Sequence, residues 1–279
     1  MATRPDPSLR QLDIELPASP AATLRLSELL SDEDTSIPEV AEVIEGDLAL
    51  ASAVVRTVNS AMFGVLRRVE TVAEAVMYLG MREVAAITLE LGLRTRFPTS
   101  PEMNRIWDTA RLRGLLMGRS AVTLGLHAWR AQSAGLFAQS GQAVLCLHAP
   151  QEYPLMLEIH PGLAGTAGLL AEETANFGLS HDVLGSSLCR AWGLAGDVAD
   201  YIRDRPHSPD TWSARPQSVR ALLALGAVAD AQMAEAEGVS TADTANAVAA
   251  LGGLEPVALE QAIAKQWQRI QSASDGDGD

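Results

Sequence analysis

The chain of 279 residues has few cysteines, few aromatic residues and almost no lysine. Its two cysteines, Cys146 and Cys189, are far apart and form no CxxC pair, which argues against a disulfide framework, a zinc knuckle and a redox motif. We predict that both are buried structural thiols. Aromatic residues make up only 4%, and the five tryptophans lack the basic neighbours of a base-stacking platform.

Long apolar runs are also missing. No stretch approaches the roughly 18 uninterrupted apolar residues of a membrane-spanning helix. The opening sequence "MATRPDPSLRQLDIELPASP" has neither the apolar core of a signal peptide nor an arginine-rich amphipathic face. We therefore expect a cytoplasmic protein with no membrane partner. The hydrophobic content of 47% is sufficient for a full core.

Positive charge is scarce, and the net charge of -14 predicts no nucleic-acid partner, because phosphate contacts require a basic surface. The segment from Arg94 to Arg130 is an exception, with seven arginines against two acids. Two interpretations remain open. The segment could hold an anionic small molecule or an acidic partner, or its arginines could pair with acids elsewhere in the fold.

What the sequence does have is helical periodicity, with no convincing strand alternation. Asp47, Thr71 and Ser100 stand where helix caps are expected, with Pro101 at a first helical position. The pattern predicts an all-α protein.

The same periodicity predicts which helix positions face the core. One core-facing stripe is expected at Leu48, Ala51, Val55, Val58 and Met62, and a long seam at Met103, Trp107, Ala110, Gly114, Met117, Ala121 and Leu124. Further helices are predicted over about 130–148, 162–176, 181–192, 196–204, 217–236, 241–250 and 255–271.

Composition divides the chain into four parts. Residues 1–18 are expected to be a flexible segment, and 19–205 the main helical domain. The proline-rich stretch "RPHSPDTWSARPQS" then opens a linker with C-terminal helices, 206–271, that pack on the main domain. Residues 272–279 are expected to form a disordered acidic tail.

Two stretches carry a family resemblance. "GDLALASAVVRTVNSAMFG" (46–64) and "TVAEAVMYLGMREV" (71–84) resemble the N-terminal signature of the HDOD family, the HD-related output domains of bacterial signal transduction. "GLSHDVLGSSLCRAWGL" (178–194) continues the resemblance. It implies a multi-helix bundle related to the HD phosphohydrolases, here with a C-terminal helical extension, usually acting as a regulatory module. The signature residues are Asp47, Asn59, Ser60, Gly80 and His181.

The same resemblance implies where HD enzymes hold their metal: a histidine in the long helix, a His-Asp pair in a turn, and further ligands downstream. This chain has Thr109, Ala138-Gln139 and Asp204-Arg205 at those positions. Alanine has no donor atom, an amide poorly replaces a carboxylate, and a guanidinium repels a cation. We therefore predict a vacated metal site with no catalytic activity, no metal and no cofactor. The break "AQS" would be retained as a helix junction.

The dipeptide His181-Asp182 superficially matches the missing pair. Ser180 is expected to cap this helix, and Asp182 falls in the first turn, where an acid suits the helix dipole. No second histidine lies three to five residues away, so His181 is predicted to be structural.

The functional prediction is a non-catalytic signalling module that acts through protein partners. A groove near the vacated site, bordered by Arg105, Arg111, Arg113 and Arg119, is expected to hold a partner segment or an anionic small molecule. Two alternatives remain. One is a metal-dependent HD phosphohydrolase for nucleotides or cyclic dinucleotides with an altered ligand set, and the other is a module that binds a nucleotide without hydrolysing it.

Overall fold

A computed structural model describes residues 21–30, 34–60, 63, 65, 67–159, 167–234 and 240–275. These residues form α-helices and one 3₁₀ helix (Pro209–Ala214) with no strand, which confirms the all-α prediction. The helices are α1 (Ala21–Leu29), α2 (Ile37–Glu45), α3 (Leu48–Val58), α4 (Val72–Leu79), α5 (Met81–Arg94), α6 (Pro101–Thr123), α7 (Ala128–Phe137), α8 (Ser140–His148), α9 (Glu152–Ile159), α10 (Ala167–Phe177), α11 (His181–Ala191), α12 (Gly196–Asp204), α13 (Gln217–Met233), α14 (Thr241–Val248) and α15 (Pro256–Asp275).

The predicted caps are present. The side chains of Asp47, Thr71 and Ser100 each accept a hydrogen bond from the backbone N–H three residues later, at 3.0, 3.1 and 3.1 Å. Each such cap contributes about 1 kcal/mol to helix stability.

The buried face of α3 agrees with the prediction in part: Val58 is buried as expected, and Ala51 and Val55 pack half-buried against the core. Val54 and Val58 are fully buried, whereas Leu48 is 82% exposed. Val58 follows Val54 by one turn, and Leu48 lies six positions before Val54 on another side of the helix. Met62, assigned to the same stripe, lies outside the described residues.

Helix α6 is central, and its predicted seam is confirmed by burial from Met103 to Ala121, with Leu124 half-buried. It packs along α7, α13 and α15. A Cβ atom on Gly135 of α7 would come within 2.8 Å of Gly114 Cα, so these glycines are what lets the two backbones meet.

The stretch predicted as helical over about 130–148 is two helices, which meet at the predicted "AQS" junction. Helix α7 ends at Phe137 and α8 starts at Ser140, because Gln139, with φ -113° and ψ 12°, leaves the helical conformation. The break turns α8 onto α11, where Gly141 lies so close to the His181 carbonyl that any side chain would overlap it.

Several elements were not anticipated, namely α1, α2, α5 and α9. The segment 1–18 predicted to be flexible and part of the predicted helix 162–176 lie outside the described residues. The tail predicted to be disordered over 272–279 starts too early, because α15 continues to Asp275, and 276–279 lie outside the described residues. Cys146 and Cys189 are free and buried, as predicted. Within the described ranges, no helix is both long enough and apolar enough to span a bilayer.

Candidate functional site

The helix junction between α7 and α8 contains the first pair of predicted vacated positions. Ala138 is buried, and Gln139 is half-buried. The Gln139 Oε1 atom accepts a hydrogen bond from Arg113 Nη1 at 3.2 Å, and its Nε2 donates to Gln142 Oε1 at 3.2 Å. The amide is therefore engaged on both sides.

Two arginines share one carboxylate at this junction. Arg113 Nε donates to Asp230 Oδ1 at 2.6 Å, while Arg205 donates to Asp230 Oδ2 from Nε at 3.1 Å and Nη2 at 2.9 Å. Each carboxylate oxygen thus serves one guanidinium. We call Arg113, Gln139, Arg205 and Asp230 the junction cluster.

The junction cluster stays charged at neutral pH. Burial would raise the pKa of Asp230, but the charges and hydrogen bonds of Arg113 and Arg205 outweigh it, and the pKa lies below the usual 3.8. Burial raises the pKa of the neighbouring Tyr201 to about 12, so its phenol stays neutral. With two guanidiniums and one carboxylate, the cluster carries one net positive charge.

The donor set of the junction cluster does not fit a divalent metal. Ala138 offers no donor, the Gln139 amide is engaged by Arg113, and Asp230 is engaged by both arginines. A guanidinium has five N–H donors and no acceptor, so it cannot bind a cation. Among the described residues, no three His, Cys, Asp or Glu side chains converge in a way that could hold a metal ion.

The remaining predicted metal-site positions are Thr109, Asp204 and Arg205, and they do not all belong to the junction cluster. Thr109 is half-buried and lies one helical turn before Arg113, on the same side of α6. Asp204 forms a two-pronged ion pair with Arg215, at 2.6 and 2.7 Å, and is not part of the junction cluster. Gln139 and Arg205 are therefore linked through Arg113 and Asp230, whereas Asp204 pairs with Arg215 outside the junction cluster.

The four arginines predicted to border one groove are not gathered there. Only Arg113 belongs to the junction cluster. Arg111 and Arg119 instead pair with acids of α5, Glu90 at 2.5 Å and Glu83 at 2.7 Å, and Arg105 pairs with its own-helix neighbour Glu102 at 3.3 Å. The prediction of a shared groove was wrong, because α6 directs these side chains to different sides. The interpretation in which the arginines pair with acids elsewhere describes them better.

The family-signature residues of the N-terminal half have structural roles in the backbone, through hydrogen bonds of Asn59 and Ser60 and through the conformation of Gly80. The side chain of Asn59 donates to the carbonyls of Val55 and Val69, at 2.9 and 2.8 Å, and accepts from the Val69 N–H at 2.9 Å. Ser60 Oγ donates to the Thr57 carbonyl at 2.7 Å. Gly80 has φ 87°, a conformation that favours glycine, and links α4 to α5.

His181 belongs to a second buried polar group, the Glu173 cluster of Tyr153, Glu173 and His181. The His181 Nδ1 atom lies 2.7 Å from Glu173 Oε2, and the His181 backbone N–H donates to the same oxygen at 2.8 Å. The Tyr153 hydroxyl donates to Glu173 Oε1 at 2.6 Å. These contacts link α9, α10 and the start of α11, as expected of a structural histidine.

Asp182 is fully buried and contacts the side chains of Arg203 and His207, the latter at 3.2 Å. Ser180 occupies the N-cap position of α11, but its side chain makes no capping bond, and the hydroxyl donates to Asp182 instead. Ser180 is therefore the N-cap residue, as predicted, but it does not cap the helix through its side chain.

Two central residues were missed by sequence reasoning. Asp230 is a lone acid within the apolar run "ALLALGAVADAQM" of α13, whereas Glu173 stands in α10 between Glu172 and Thr174. The single acid of α13 is a usable signal, because a carboxylate on a largely buried helix rarely lacks a partner. Glu173 carries no such signal, since it follows another acid. Neither partner could be inferred from sequence spacing.

An all-α bundle of the kind found in HDOD and HD-like proteins is thus the class that the fold defines. The chain belongs to the HDOD domain family, whose model matches residues 16–208. Asp230 lies beyond this matched region.

Individual relatives agree with this assignment at the level of the fold. An uncharacterized protein of Treponema pallidum (strain Nichols) is 26% identical over 204 residues, which cover 71% of this chain and only 39% of that protein. An HDOD domain protein of unknown function from Geobacter sulfurreducens has a TM-score of 0.71 at 21% identity, covering 94% of this chain and 93% of that one. A Shewanella amazonensis SB2B protein named "putative phosphohydrolase" has a TM-score of 0.68 at 20% identity, covering 96% and 98%.

Proposed function

We propose that this protein is a non-catalytic signalling module that acts through protein partners, and that its HD-type metal site is vacated. The observation that carries the proposal is the junction cluster, in which Arg113 and Arg205 share Asp230 beside the Ala138-Gln139 pair. Membership of the HDOD family supports the signalling role, because these domains serve as output modules.

In the junction cluster, the positive charge comes from two arginine side chains, which cannot dissociate as a bound metal ion can. Arginine keeps its charge at any physiological pH, so the carboxylate that a metal would need is permanently engaged. The cluster also ties α6 and α12 to α13. On this account, the positive charge of the site stabilises the bundle and performs no chemistry.

The proposal is tested by a hydrolysis assay on the purified full chain. Cyclic di-GMP, GTP and bis(p-nitrophenyl) phosphate are each incubated with the protein and Mn²⁺ or Fe²⁺. We expect no turnover above that of a Gln139→Ala variant. Metal-dependent turnover by the natural chain that the Gln139→Ala variant lacks would overturn the proposal and favour a phosphohydrolase with an altered ligand set.

The proposed binding to protein partners is tested by a separate experiment. Chemical crosslinking in the native cell, followed by mass spectrometry, identifies candidate partners, and each is purified and titrated with the purified chain. We expect at least one partner to bind saturably in this two-component titration. If every crosslinked candidate fails to bind, the role of a protein-contact module is contradicted.

A further inference from the structure

A second region, on another side of α6, has a different character. A groove of about 830 Å³ lies between the α4–α5 turn, the second half of α6 and the start of α7. We call it the α5 groove, and its polar lining comprises Thr35, Arg82, Glu83, Arg119, His127 and Gln132. A volume of this size lies within the range of small-molecule sites.

One end of the α5 groove is suited to an anion. The first turn of α5, from Met81 to Glu83, lines the groove, and its N-cap is Gly80, which has no side chain to cap the amides. The free N–H groups and the helix dipole favour negative charge at this point. Arg82 is exposed and makes no ion pair with any described residue, while Arg119 neutralises Glu83 at 2.7 Å.

A second, independent feature lies deeper in the α5 groove. Gln132 is only 5% exposed, yet its amide forms no hydrogen bond within the part of the chain that the structure describes. The amide thus offers a donor and an acceptor that no described protein group uses, and a ligand in the groove could bind both. Gly118 creates the space for the amide, since a Cβ atom there would come within 2.8 Å of Gln132 Cβ and 3.1 Å of its Oε1.

Apolar side chains form the rest of the groove lining. Leu79, Val122, Leu126 and Trp129 line the groove, and Val122 is 63% exposed. A complementary ligand would have an anionic group at one end, a flat apolar body, and an edge that both donates and accepts hydrogen bonds.

We propose that the α5 groove binds a nucleotide, with its phosphate at Arg82 and the first turn of α5 and its base edge at the amide of Gln132. This site is separate from the junction cluster, and the proposal requires binding without hydrolysis. It extends the functional proposal without depending on it, because a nucleotide could bind here whether or not the protein contacts partners.

Isothermal titration calorimetry on the full chain tests the proposal, with AMP, GMP, adenosine and inorganic phosphate as probes. We expect AMP or GMP to bind more tightly than either adenosine or phosphate. Arg82→Gln and Gln132→Leu should each weaken binding about tenfold, equivalent to about 1.4 kcal/mol. Arg105→Gln is the matched control, because Arg105 is an exposed arginine outside the groove, and it should leave the affinity unchanged.

Several results would overturn the proposal. Absence of saturable binding of both nucleotides below about 1 mM would exclude the site. Equal affinities for AMP and inorganic phosphate would contradict a role for the base, and binding unaffected by Gln132→Leu would do the same. Circular dichroism of each variant confirms that its helices are intact, and a Gln132→Glu variant, which keeps the shape but adds negative charge, should also weaken binding.

Discussion

Helix α6 supplies arginines to two regions that use them in opposite ways. At the junction cluster, Arg113 is 5% exposed and bound to Asp230 and Gln139. At the α5 groove, Arg119 is held by Glu83, but the neighbouring Arg82 has no ion pair among the described residues. The first region is satisfied internally and the second has unused capacity. An arginine-rich sequence therefore does not locate a binding site until the partner of each guanidinium is known.

The contrast between the two regions is tested most strongly by removing the Asp230 carboxylate that Arg113 and Arg205 share. Asp230→Asn should lower the free energy of unfolding by about 3 kcal/mol, because it leaves two neighbouring guanidiniums without a counter-charge. Urea denaturation measures the change. Asp108→Asn is the matched control, since Asp108 also pairs with an arginine, Arg94 at 2.9 Å, but is 69% exposed.

The control should cost less than about 1 kcal/mol, as is typical of surface ion pairs. If Asp230→Asn costs no more than Asp108→Asn, the junction cluster is not the internally satisfied structure described above.

A second prediction compares Gly141, next to the α7–α8 junction, with Gly118, which lines the α5 groove. Gly141→Ala should destabilise by about 2 kcal/mol, because the new methyl group would overlap the backbone carbonyl of His181, which cannot move alone. Gly118→Ala should cost about 1 kcal/mol, since its obstacle is the side chain of Gln132. Thermal unfolding of both variants, with Gly196→Ala as control, measures the difference. No atom lies within 4 Å of a Cβ at Gly196, and an equal cost at all three positions would contradict the close-packing account.

The smallest predicted effect concerns pH at the rim of the α5 groove. Burial, assisted by Arg130, lowers the pKa of His127 below 6.5, so the unfolded chain binds a proton before the folded one does. Stability should therefore be complete above about pH 6.5 and decline as the pH falls towards the folded pKa. His127→Asn keeps a capping side chain for α7 and should flatten this decline, measured by urea midpoints between about pH 7 and about pH 5. An unchanged slope would contradict the assignment.

Local features of the fold were predictable from the sequence. The caps at Asp47, Thr71 and Ser100 depend on residues three positions away, and the α6 seam follows from helical periodicity. The break at Ala138-Gln139 was recognised by its family position, although the pattern of apolar residues continues across it.

Contacts between distant segments were not predictable. Asp230 is 117 residues from Arg113 in sequence, and Glu173 contacts both Tyr153 and His181 from a separate helix. The arginines of α6 could be counted but not assigned, because helical rotation and the packing of α5 and α13 decide which acid each one reaches.

The metal content of the purified full chain tests the central claim most directly. The protein is incubated with Mn²⁺, Fe²⁺ and Zn²⁺ in turn, dialysed, and analysed by inductively coupled plasma mass spectrometry. The account predicts far less than one metal ion per chain in every case, because Arg113 and Arg205 occupy the only carboxylate of the junction cluster. A stoichiometric metal that is lost in the Asp230→Asn variant would contradict it.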